Sequence, residues 1–364
     1  VIVDEMDLLS QLKDVPPLRS EAYEQARATL RSAMVESGAA PVRAERFSWV
    51  RNFRVGVLGK VGIGAIGAVA AAVAVATVAT STPRSAAPAG AAAGSASKAP
   101  AVSSRLVSLA SDITATDGPL PGDASLVIRT QTVANRAPYV TYNLYTDGGD
   151  VYVTDTEGAL PAAIAHHDNL AEPEDSREVA AARLAATGDL AKAREQMVNA
   201  TANPWGLGLS PAAAQEAWDK AMAEEQRILR EKGVTRSPRP RPTGKALEDG
   251  INNVLWTNSV DALARGAEDP DVRAGVLRLL STIPEVTVAD STTGGQPTLT
   301  ITAGPAIFGD SAQEVLTINA TTGLPVSSAV SPAPGQDPAD ATPPSLETYQ
   351  SSRVTLANIE AGKF

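Results

Sequence analysis

The chain has 364 residues, no cysteine and a formal charge of −10 at neutral pH. Without thiols there can be no disulfide, thiolate–metal site, cysteine nucleophile or lipid-modified cysteine. The acidic balance argues against direct nucleic-acid binding or attraction to an anionic surface.

The first segment is short and patterned. "DEMDLLSQLKDV" places Met6, Leu9 and Leu12 on one helical face with Leu8 alongside, and Pro16-Pro17 ends it. A second helix over about 19 to 37 carries Tyr23, Ala26, Leu30 and Met34 at helical spacing. Two such helices bury too little surface against each other to be stable alone. Met6, Leu8, Leu9, Leu12, Tyr23, Leu30 and Met34 are therefore the candidate partner-binding residues of an inner segment, 1–52. A frayed juxtamembrane tail is the other reading of the same residues.

"GKVGIGAIGAVAAAVAVATVATSTPR", residues 59 to 84, contains G-x-G-x-x-G at Gly62, Gly64 and Gly67. A dinucleotide site needs an acidic residue about 20 positions on to hold the ribose. No Asp or Glu occurs between Glu45 and Asp112, and no βαβ units follow. No cofactor is expected. Between Lys60 and Arg84 lie 23 uncharged residues, and roughly 20 in a helix cross a hydrocarbon core of about 30 Å. A single transmembrane helix over 53–82 is the expectation, with a buried soluble helix as its competitor. Small residues at four-residue spacing, Gly64, Ala68, Ala72 and Ala76, permit close helix approach. Arg43, Arg46, Arg51, Arg54 and Lys60 precede the span, whereas only Arg84 and Lys98 follow it closely. This bias places the N-terminus in the cytoplasm. A cleaved signal peptide would have a shorter charged leader.

Residues 83–104 are rich in Ala, Pro, Gly and Ser and lack large apolar side chains, so they read as a tether. The remaining 105–364 form the outer domain. After residue 60 the chain carries 33 acidic and 22 basic residues. "SRLVSLASDI" (104–113) predicts a helix. "ASLVIRTQTV" (124–133) alternates Leu126, Ile128 and Thr130 against Val127, Arg129 and Gln131. "YVTYNLYTDGGDVYVT" (139–154) predicts a hairpin turning at Asp147-Gly148-Gly149. Ser210-Pro211 opens a helix with Ala214, Trp218, Ala221 and Ile228 inward, ending at Gly233. Asp269-Pro270 opens another with Val272, Val276, Leu279 and Ile283 inward. Strands return at "EVTVAD", "QPTLTITAG", "QEVLTINATTGLPVSSAV" and "YQSSRVTLANIE". Strands, helices, then strands with short turns predict an α+β domain with an antiparallel sheet. "RSPRPRPTGK" and "SPAPGQDPADATPPS" read as surface loops. The first is basic and extended, either a connector or a contact for an anionic envelope polymer.

The N-terminal "DEMDLLSQL", one Ala/Val-rich span, a tether, "DVRAGVLRLLSTIPEVTVADSTTGGQPTLTI" and a late "EVLTINATTGLPVSSAV" resemble, in that order, a family of uncharacterised actinobacterial single-pass membrane proteins. Members are often encoded beside extracytoplasmic-function sigma factors, and the resemblance implies an anti-sigma factor whose partner is a cytoplasmic sigma factor. The late strands ending in "TTGLP" are also similar to open half-barrels that cup lipid or lipoprotein, an architectural analogy. Zinc-binding anti-sigma domains use a His followed by Cys-x-x-Cys. With no Cys, and His166 and His167 its only histidines, this chain would restrain a sigma factor through apolar helix packing from residues 4 to 37.

"AIAHHDNLAEPEDSRE" gathers His166, His167, Asp168, Glu172, Glu174 and Asp175, groups able to bind a divalent ion or move protons. Adjacent residues diverge on a regular element and a helix start follows, so the preferred reading is a solvated loop with acidic charges at a helix N-terminus. No G-x-S-x-G marks an activated serine. The expectation is a non-enzyme with no catalytic residues and no metal. Two function classes remain: a membrane-anchored regulator restraining a sigma factor, or a membrane-anchored envelope carrier for an apolar ligand.

Overall fold

The computed structural model describes residues 101–364 except 117–120, 135, 232, 236 and 337–342. The expected inner helices with their candidate partner-binding residues, the expected span and most of the expected tether lie outside the described residues. Among the described residues no helix is long and apolar enough to cross a membrane.

Helix α1 (Ala101–Thr116) begins within the stretch read as tether. Strands β1 (Ala124–Val133), β2 (Tyr139–Thr146) and β3 (Val151–Thr154) follow. Gly149, at φ 94°, makes the tight turn between β2 and β3. Next come α2 (Leu160–Ala165), α3 (Pro173–Ala186), α4 (Leu190–Asn199), α5 (Pro211–Glu231), α6 (Gly244–Arg265) and α7 (Pro270–Leu280). The chain closes with β4 (Val286–Thr293), β5 (Gln296–Ala303), β6 (Ala312–Asn319), β7 (Pro325–Pro332), β8 (Ser345–Val354) and α8 (Leu356–Glu360). The caps act as expected. Asp269 Oδ1 accepts from the N–H groups of Asp271 at 2.9 Å and Val272 at 3.3 Å, and Gly233 at φ 71° lies just past the end of α5.

The eight strands form one open antiparallel sheet in the order β3-β2-β1-β8-β7-β6-β5-β4. The architecture is α+β, as the element order implies. Its seam is the β1–β8 pair, in register from Ala124 opposite Val354 to Val133 opposite Ser345. The inward face of β4–β6 presents Val286, Leu299, Ile301, Leu316 and Ile318, all 3% exposed or less. Helices α1, α6 and α7 contribute Leu106, Trp256 and Val276 to the same core. Full burial of each such side chain contributes about 1.5–3 kcal/mol. Helices α3 and α4 pack behind α6 and α7. A Cβ on Gly275 of α7 would stand 1.7 Å from the Ala182 carbonyl oxygen of α3, so only glycine permits that approach.

On the outward face, β1–β3 are closed by α2 and α8, whose Leu160, Ile164 and Ile359 pack with Ala124, Leu126 and Leu144. Both faces of β1 are therefore buried near its start, which blunts the alternation expected there. The structure corrects two expectations. "YQSSRVTLANIE" ends its strand at Val354 and turns into α8, with the Leu356 N–H held by Asp123 Oδ1 at 2.7 Å. Ile228 is 39% exposed, because the buried positions of α5 are Ala214, Trp218, Met222 and Leu229; Ile228 sits about 100° around from Leu229. Helix α6, 22 residues long, is one for which no expectation was formed. From Gly250 onward it is buried or half-buried on every side, and such a helix shows no apolar stripe.

Candidate functional site

Along the inward face the chemistry changes from apolar on β4–β6 to polar on β7, β8, β1 and β2. Side chains alternate along a strand, so register decides which polar groups meet. Ser328 of β7 lies opposite Glu347 of β8, Gln131 of β1 lies opposite Glu347, and Arg129 lies opposite Tyr349. Glu347 gathers three donors: Arg129 Nη2 at 2.7 Å, the Tyr349 hydroxyl at 2.8 Å and Gln131 Nε2 at 3.3 Å. Glu314 of β6 accepts from the Ser328 hydroxyl at 2.7 Å and from Trp256 Nε1 of α6 at 2.9 Å. Both carboxylates are 6% exposed. On β2, Asn143 Nδ2 donates to the Val127 carbonyl at 3.1 Å and to Thr141 Oγ1 at 3.0 Å. The result is a band of buried and half-buried polar side chains across five strands, β6, β7, β8, β1 and β2.

Next to the band lies an ion cluster. Arg265, at the C-terminal end of α6, pairs with Asp175 at 2.8 Å and with Glu178, both on α3. Burial alone would lower the Arg265 pKa, yet the charges of Glu178, Asp261 and Asp175 hold it above its ordinary value. Tyr145 of β2 is pushed up by burial, against the lowering pull of Arg129 and Arg265. The phenol therefore stays neutral, and Arg265 stays charged.

This arrangement suits rigidity. Each carboxylate of the band already holds two or three donors, and the Ser328 hydroxyl is committed to Glu314. Asn253 and Ser259 of α6 each keep a buried polar atom without a partner. Asn253 stands one turn before Trp256 on the same side of the helix. The band reaches solvent at one end, where Tyr139, in register with Gln131, is 49% exposed.

No family model, curated protein or solved structure matches the chain. The functional reading therefore rests on the residues themselves.

The histidine segment is distributed over structural duties. His166 caps the end of α2, and His167 adopts φ 54° in the turn that follows. Glu172 and Asp175 form a capping box on α3, with the Glu172 N–H donating to Asp175 Oδ2 at 2.9 Å. Glu174 faces Arg177 at 3.9 Å. Among the described residues no three His, Asp or Glu side chains group as metal ligands. Helix α2 packs on the outward face of β1–β2, whereas Ser328 belongs to the inward face. The basic Pro-rich stretch is a strap laid across α5. The Arg239 carbonyl accepts from Trp218 Nε1 at 3.0 Å, Arg239 pairs with Glu225 at 3.2 Å, and Arg241 donates to the Trp205 carbonyl. Trp205 and Trp218 pack beneath it with ring centroids 5.3 Å apart and ring planes tilted by 44°.

Sequence reasoning singled out neither Glu314 and Glu347 nor Trp256. The available signal was the carboxylate in each of two alternating strands, at positions where the pattern calls for an inward residue.

Proposed function

We propose that the chain is a single-pass membrane regulator of the anti-sigma-factor type. Residues 1–52 hold a cytoplasmic sigma factor, 53–82 cross the membrane, 83–104 act as tether, and the outer α+β domain senses an envelope condition without catalysis of its own. One observation carries the choice between the two function classes. Leu299, Ile301, Leu316 and Ile318, where a half-barrel carrier would keep its apolar chamber, are 0–1% exposed beneath α6 and α7. A filled core suits a sensor that changes state as a body. A carrier for an apolar ligand would have to open that core first. The inner half of the proposal is supported by the apolar faces of the two N-terminal helices and by the cation bias before the span.

The test is capture of the full chain, tagged at its C-terminus, from native membranes, beside a variant with Leu9, Leu12 and Leu30 changed to Asp. Recovery of one sigma factor with the parent and its loss with the variant is the expected result. Equal recovery with both, or no sigma factor with either, overturns the regulatory reading.

A further inference from the structure

We propose that the outward face of β4–β8 is a self-association surface that packs against the same face of a second copy of the chain. This goes beyond the regulatory reading and does not depend on it. Register places Thr302, Val315, Ala329 and Leu346 in one row across β5–β8. Leu346 is 42% exposed, among the largest apolar exposures of the described residues. Around this row the outward positions are Thr, Ser, Ala, Gln and Asn. Not one outward position of β4–β8 carries a charge, in a chain with 33 acidic and 22 basic residues after position 60. Two acidic copies repel each other over most approaches, and this face is where they meet without that cost.

On the β4–β5 part of the face the hydroxyls already bond one another. Ser291 Oγ lies 2.7 Å from Thr298 Oγ1 and 2.9 Å from Thr300 Oγ1, and Thr298 is 1% exposed within this ladder. Covering hydroxyls that bond one another leaves few orphaned donors, while their methyl groups give apolar contact. Five strands spaced about 4.8 Å apart, with about eight residues rising about 3.4 Å each, offer roughly 650 Å² per copy. The total of roughly 1,300 Å² falls within the standard range of stable interfaces. An apolar row ringed by uncharged polar groups is the arrangement of an interface with a dry centre. Over β1–β3 the same side is already closed by α2 and α8, which bounds the free area. A two-fold axis makes each substitution count twice.

The chain has no cysteine, so single thiols report cleanly. In the full-length protein, Val315→Cys at the centre of the face and Ala223→Cys on the exposed side of α5 are treated with a short bis-maleimide. The expected result is a covalent dimer forming at least tenfold faster with Val315→Cys. Adding Thr348→Glu, at a position exposed in the single copy, should abolish that excess while circular dichroism and the melting temperature stay unchanged. Equal rates for the two thiols, or an excess that survives Thr348→Glu in the folded protein, overturns the proposal.

Discussion

Trp256 of the buried helix α6 donates its indole N–H to Glu314 of β6 at 2.9 Å, which pins the helix to the sheet where apolar packing gives way to polar. Replacing Trp256 with Phe keeps most of the ring and removes that donor from a buried carboxylate. The expected loss is about 1.5–3 kcal/mol for the hydrogen bond, plus a smaller packing cost. Glu314→Gln retains an acceptor for the indole and should cost less. Urea unfolding of both single variants and the double variant measures the coupling, and additive effects would mean that the bond contributes nothing.

Gly275→Ala forces a methyl into the Ala182 carbonyl and must part α3 from α7. Overpacking of this kind typically costs about 1–3 kcal/mol, and contact with backbone puts this site at the upper end or beyond. Gly233→Ala is the comparison, since open space surrounds that position and only the strain at φ 71° opposes it. The first variant should melt well below the second.

Arg265→Met leaves Asp175 and Glu178 beside an apolar side chain. Breaking a buried pair from one side costs about 3–5 kcal/mol. Adding Asp175→Asn and Glu178→Gln should restore most of it, because the uncompensated charges are then gone. A triple variant no more stable than Arg265→Met would show that the arginine acts through its packing.

Glu285 receives hydrogen bonds from Lys245 at 2.9 Å and Asn252 at 3.3 Å. Burial tends to raise its carboxyl, but these partners outweigh it and hold the pKa below the ordinary glutamate value. A pKa depressed on folding adds stability above the unfolded-state value and loses it as pH falls through the folded one. Glu285→Gln should therefore be less stable than the parent at pH 7, with the gap closing below about pH 4. Chemical unfolding at pH 7, 5, 4 and 3 reads the difference directly.

The parts of the fold legible in the sequence were those with a marked start or a regular apolar period. The row Val272, Val276, Leu279 and Ile283 stood out because Asp269-Pro270 marked a helix start and apolar residues recur after it, although α7 is buried at most of its positions. Strand β6 was legible because buried and half-buried positions alternate strictly along it. Helix α6 offered neither signal. Asn252, Asn253, Asn258 and Ser259 interrupt its apolar positions, yet all four are buried. Their polarity answers to neighbouring helices, as when Asn258 donates to the Met197 carbonyl at 2.7 Å. The candidate site was illegible for a related reason. Glu314 and Glu347 look solvated in a linear reading, and only the pairing of β6, β7 and β8 places them inside.

The pairing of β1 with β8 makes completion of the domain wait for its last-made strand. Arg353 bonds to Ser125 across 228 residues, a separation whose closure must precede any reward from the contact, and topologies of this kind fold slowly. Until residues 345–354 arrive, β1 holds its hairpin partner on one side and a bare edge on the other. Such an edge is a template for any other extended chain. A product truncated before Ser345 is thus poised to aggregate.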